Sequence, residues 1–203
     1  MLTGKRVDQR YIYVLLSRTH TVPARLIRLF TREPYSHVSI ALDAELHNMY
    51  SFARKHIYNP FDSGFIDENI ETGIFGKDKN TYCSVYEVPV TEEQYQKLKC
   101  EINIFIRNRD VYKYNYTGLV GAMFGKNIED GTHFFCSQFV SYVFCKSGVM
   151  LHSKKNGLLR PYDFHIQLKD QQIYTGKLSE YRLFLQKRYA NLEDYEEEFA
   201  QAI

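Results

Sequence analysis

The stretch THFFCSQFVSYVFCKSG, Thr132–Gly148, decides how the chain is read. Phe135, Phe139, Val143 and Phe144 recur at helical spacing and Gly148 supplies a glycine stop, so the segment reads as one buried helix. Cys136 falls in its first turn. There the backbone N–H groups lack intrahelical partners and the helix dipole is positive, which favours a thiolate; the same N–H groups can receive the negative oxygen of a tetrahedral acyl intermediate. Cys145 lies near the other end, where the dipole opposes a thiolate, and reads as structural. A free cysteine on an apolar helix is ordinarily packing, so chemistry at Cys136 requires a base elsewhere in the chain.

His37 is the candidate base. Tyr11–Ser17 (YIYVLLS) reads as a buried strand, and Thr21-Val-Pro-Ala as the start of a helix running to about Thr31, which Glu33-Pro34 breaks. Ser36–Leu42 and Met49–Arg54 then form a hairpin around the polar stretch Asp43–Asn48, with His37 entering its first strand. An imidazole at that point can project toward a helix N-terminus. His20, His47, His56, His152 and His165 have no comparable context. His133 and Cys136 make half of a zinc pattern, but no second half of matching spacing exists, so neither a metal nor another cofactor is expected.

Further along, residues 55–80 carry Asn59-Pro60, Gly64, Gly73 and Gly76 with little periodicity and read as an irregular, lid-like excursion. Tyr82–Val88 alternates and resumes the sheet. Thr91 and Gln94 form a capping box before an amphipathic helix through Tyr95, Leu98, Ile102 and Phe105. Tyr116–Phe124 reads as a short apolar helix closed by Gly125, its Gly121 and Gly125 serving close packing. The end, 190–203, reads as a charged terminal helix.

Composition bounds the functional class. The chain has 203 residues, with 17 Tyr and 14 Phe spread along it, which supports one core without repeats or linkers and excludes a disordered protein. A formal charge of +2 gives no electrostatic ground for a nucleic-acid partner. No apolar run is long enough for a spanning helix or a signal-peptide core, so the expectation is a cytoplasmic protein with no integral membrane association. The four cysteines, Cys83, Cys100, Cys136 and Cys145, contain no CxxC pair and read as free thiols.

His37 in PYSHVSI, followed far downstream by Cys136 in FFCSQFV, resembles the circularly permuted branch of the NlpC-type papain-like superfamily, the YiiX-like proteins, to which the lecithin:retinol acyltransferase relatives also belong. That branch runs His before Cys, whereas papain runs Cys before His. The similarity covers most of the chain, including the Tyr-rich approach (Tyr112, Tyr114, Tyr116) and Arg160-Pro-Tyr-Asp-Phe downstream. It implies an α+β papain-like fold in a single domain over 1–203: a central antiparallel sheet with helices packed on it, and a Cys at a helix N-terminus facing a His on a strand.

The resemblance also implies roles. Cys136 becomes the nucleophile, His37 the base, and the backbone N–H at Cys136, with the adjoining Ser137, the oxyanion and substrate contacts. Tyr35 or Tyr13 offers a phenolic partner, and Arg54 a contact for a ligand carboxylate, although a buried structural tyrosine and a solvated arginine are the better readings of these residues. The family places a polar residue on the strand after the His to orient the imidazole. In this hairpin that position falls near Ser51 or Phe52, so Ser51 is the candidate, and no acid takes its place. The expected activity is a cysteine hydrolase or amidase passing through a thioester acyl-enzyme, on a small-molecule, peptide-like or lipid acyl substrate. Acyl transfer or lipid deacylation is one alternative. A non-catalytic ligand-binding protein that retains the fold is the other, and Ser51 in the orienting position favours it. The oligomeric state is open.

Overall fold

The structure, a computed structural model, describes residues 9–18, 33–56, 59–149 and 158–201. The helix expected over Thr21–Thr31 lies outside the described residues. Eight strands form one mixed open sheet: β1 (Gln9–Arg18), β2 (His37–Ala41), β3 (Met49–His56), β4 (Asn59–Glu68), β5 (Tyr82–Thr91), β6 (Lys113–Tyr114), β7 (His133–Phe134) and β8 (Gln172–Lys177). Their order across the sheet is β7-β6-β4-β3-β2-β1-β5-β8. Neighbours are antiparallel except β6 and β7, which run parallel.

Both faces of this sheet are buried at its centre, and β1 shows why its sequence is almost wholly apolar. Ile12, Val14 and Leu16 point to one face while Tyr13 and Leu15 point to the other, as the two-residue period of a strand demands. The first face is covered by α2 (Glu92–Arg107), α4 (Cys136–Ser147) and α5 (Pro161–Leu168), with α1 (Gly73–Lys77) and α3 (Tyr116–Met123) completing the shorter helices. An aromatic cluster fills the space between: Phe105 of α2 lies 4.9 Å from Phe139 of α4 and 6.0 Å from Phe52 of β3 between ring centroids, and Phe65 of β4 lies 5.5 Å from Phe139. The second face is closed by α6 (Tyr181–Gln201), whose Tyr181 and Leu185 pack on Leu15 and Val85.

The capping box holds as the sequence predicts: Gln94 N–H donates to Thr91 Oγ1 and Thr91 N–H to Gln94 Oε1. Gly121 packs closely, since a Cβ there would come within 2.8 Å of Ile128 Cδ1.

Two expectations are corrected. Residues 55–80 are not an irregular lid: Asn59–Glu68 is β4, paired with β3 from Met49 opposite Glu68 to Arg54 opposite Ser63. Gly64, which reads as a loop signal, instead marks a close backbone approach, with Tyr112 O only 3.3 Å from where a Cβ would stand. The terminal helix begins at Tyr181 rather than near residue 190, because its first turns carry the apolar residues that cover the second face.

Candidate functional site

Cys136 is the first residue of α4, and Phe135 is the N-cap, in extended conformation. Phenylalanine has no oxygen with which to cap, so the turn is held from the helix side. Gln138, 2% exposed, accepts the Phe135 N–H at 3.2 Å and the Asn115 Nδ2–H at 3.1 Å on its Oε1. Asn115 is itself the N-cap of α3, accepting from Gly118 N, and its backbone N–H donates to Phe134 O at 3.0 Å. Ser137 donates its hydroxyl to Leu159 O at 2.5 Å. Three elements therefore fix the entry to α4, which leaves the first-turn N–H groups of Cys136 and Ser137 as donors without intrahelical acceptors.

His37, the first residue of β2, comes within electrostatic reach of the Cys136 thiol, which acts to raise the imidazole pKa. On its other side Nε2 lies 3.0 Å from Glu68 Oε1 and 3.2 Å from Oε2. Ser39 Oγ donates to Glu68 Oε2 and lies 3.2 Å from His37 Nε2. The register explains the meeting: Ala41 pairs with Met49 and Met49 with Glu68, so alternation sets His37, Ser39, Ala41, Met49 and Glu68 on one face. The His37 and Glu68 side chains are 12% and 11% exposed, so little solvent screens the pair. Burial disfavours the imidazolium, but the Glu68 charge, the nearby Cys136 and the hydrogen bond to Glu68 outweigh it, and the His37 pKa is pushed up to about 10.

The acid that the sequence reading lacked is thus Glu68. Ser51 does not orient His37. Its hydroxyl donates to Val38 O at 2.7 Å, because the hairpin sets Ile40 opposite Tyr50 and spends Ser51 on tying β3 to β2.

Tyr13 and Tyr35 are also committed elsewhere. Tyr13 Oη donates to Glu87 Oε1 at 3.1 Å on the second face, and Tyr35 Oη lies 2.7 Å from Ser84 Oγ. The tyrosine beside Cys136 is Tyr114, at the end of β6. Burial raises its pKa, the charge of Cys136 raises it further and Arg54 opposes, so the phenol stays protonated. Arg54, on β3, therefore reaches the same neighbourhood. His133 is paired with Asp130, Nδ1 to Oδ2 at 2.7 Å. Among the described residues, no group of three or more His, Cys, Asp or Glu side chains is placed to hold a metal, and no helix is long and apolar enough to cross a membrane.

The other cysteines contrast with Cys136. Cys83 is fully buried and its thiol is pushed up to about 12 by desolvation, while Cys100 and Cys145 are exposed. Compared with protein-family models, curated proteins and solved structures, the chain matches none.

Proposed function

We propose that this chain is a cysteine hydrolase of papain-like type, acting on an amide or ester through a thioester on Cys136. The observation that carries the reading is the buried order of carboxylate, imidazole and thiol at a helix N-terminus. A carboxylate only accepts, so Nε2–H points at Glu68 and Nδ1 is the nitrogen left for the thiol. With its pKa raised to about 10, His37 already holds the thiol proton, so the sulfur attacks the substrate carbonyl carbon as the thiolate of the pair and the C=O electron pair moves onto oxygen. First-turn N–H groups and the Tyr114 hydroxyl are the donors for that oxyanion. Collapse breaks the bond to the amine or alcohol, which leaves with the proton from His37. Water, deprotonated by His37, then cleaves the thioester and returns the free thiol.

Glu68 favours catalysis over the retained-shell binding protein, whose main support was the missing acid. Transfer to or from a lipid acyl group is the second reading, and a surface feature favours it: a groove of about 480 Å³ lined by Tyr116, Val120, Phe124 and Ile128. The Tyr116 ring lies 4.7 Å from the Tyr114 ring at a tilt of 50°, so the groove adjoins the tyrosine beside Cys136.

The test is to incubate the protein with p-nitrophenyl esters of short and long acyl chains and locate adducts by mass spectrometry. The reading predicts a hydroxylamine-sensitive acyl group on Cys136, absent in Cys136→Ala. Acylation spread equally over Cys100 and Cys145 contradicts it. A preference for long chains that Val120→Ser removes selects the lipid reading.

A further inference from the structure

Glu68 reaches His37 from two strands away, and a carboxylate on a flexible stem in a nearly dry site needs something to fix its rotamer. Phe75, whose ring centroid is 6.4 Å from the His37 ring, offers no hydrogen bond. Ser39 does. It lies on the same strand as His37, two residues on and on the same face, and its hydroxyl donates to the Glu68 oxygen that is farther from Nε2. With Oε2 held there, both carboxylate oxygens stay within 3.2 Å of Nε2.

Resting on the proposed Cys136–His37 chemistry, we propose that Ser39 is a positioning residue whose hydroxyl locks the Glu68 carboxylate astride His37 Nε2–H and so fixes the ring orientation that presents Nδ1 to Cys136. The hydroxyl also lies 3.2 Å from His37 Nε2, the nitrogen turned away from the thiol, so it positions Glu68 and the ring without touching substrate or the sulfur. Removing it leaves Oε2 of a buried carboxylate with only the longer, 3.2 Å contact to His37 Nε2. The carboxylate is then free to turn toward solvent, which withdraws its charge from His37. The titratable and charged groups on the site are Glu68 from β4, Cys136 from α4, Tyr114 from β6 and Arg54 from β3, and none of the other three donates to Glu68 Oε2.

The test is the pH profile of iodoacetamide modification at Cys136, read peptide by peptide, in the wild type, Ser39→Ala, Ser39→Thr and His37→Ala. Ser39→Ala is expected to move the rising limb up by about one pH unit, a tenfold drop in rate at fixed pH on that limb, and Ser39→Thr to restore it. Should Ser39→Ala fail to fold, Ser39→Thr against Ser39→Val isolates the hydroxyl in side chains of similar shape, with the same shift expected for Val. Wild-type and Ser39→Ala profiles that superimpose, while His37→Ala differs, overturn the role of Ser39 and leave the Cys–His pair standing. Coincident wild-type and His37→Ala profiles overturn both.

Discussion

Cys136 and Cys145 stand at opposite ends of α4, on one helix and in one covalent neighbourhood of apolar residues, yet their surroundings share almost nothing. At the first end Cys136 is 7% exposed and within electrostatic reach of His37 and Tyr114, with the chain entering the helix under the hold of Gln138 and Asn115. At the second, Cys145 is exposed, Lys146 follows it, and the helix ends at Gly148 in the left-handed conformation, φ 76°. The contrast teaches that thiol reactivity belongs to a place: the positive end of a dipole, an imidazole within reach, and a carboxylate behind it.

The largest effect comes from removing the imidazole. His37→Ala is expected to lower ester turnover by about 10²- to 10⁴-fold while leaving alkylation of Cys145 unchanged, which erases the difference between the two ends. Steady-state hydrolysis together with peptide-resolved alkylation measures both.

Removing the carboxylate comes next. Without Glu68 the imidazolium loses the charge that raised its pKa, so in Glu68→Gln the alkaline limb of the activity, where His37 no longer holds the proton for the leaving group, moves to lower pH. Stability follows the same sign. A raised imidazole pKa contributes stability that is complete below 6.5 and lost as pH rises through about 10. The wild type should therefore exceed Glu68→Gln by about 2 kcal/mol near pH 6.5 in denaturant titrations, with the gap narrowing toward pH 10.

Loosening the entry to α4 gives a smaller change. Gln138→Ala strands the Phe135 N–H and the Asn115 amide in a buried site, costing about 1–3 kcal/mol, and should lower Cys136 reactivity with no change at Cys145. The smallest effect sharpens the comparison from outside it. Ser51→Ala removes one hydrogen bond to Val38 O, worth about 1 kcal/mol, and should leave the pH profile of Cys136 in place.

Much of this was legible in the sequence for identifiable reasons. Helix α4 announces itself by Phe135, Phe139 and Val143, and β1 by a run that is apolar at both parities because both faces are covered. The proposed base followed from order and context, since His37 opens a strand next to a proline break. Glu68 was hidden for a different reason. Its strand carries Asn59-Pro60 and Gly64, which mimic a loop, and its place beside His37 depends on the register of two successive strand pairings that no local pattern encodes. The signal present was Phe65, an apolar residue that pairs with Phe52 once β4 is recognised. Tyr114 was hidden in another way, one tyrosine among 17, placed only when Lys113–Tyr114 pairs with His133–Phe134 beside Cys136.

The most direct measurement is the pH dependence of iodoacetamide alkylation at Cys136, with Cys145 as the internal reference and His37→Ala as the paired variant. A primed pair predicts that alkylation of Cys136 rises at lower pH than alkylation of Cys145, and that His37→Ala brings the two together. If Cys136 and Cys145 already titrate alike in the wild type, the thiolate–imidazole account is contradicted.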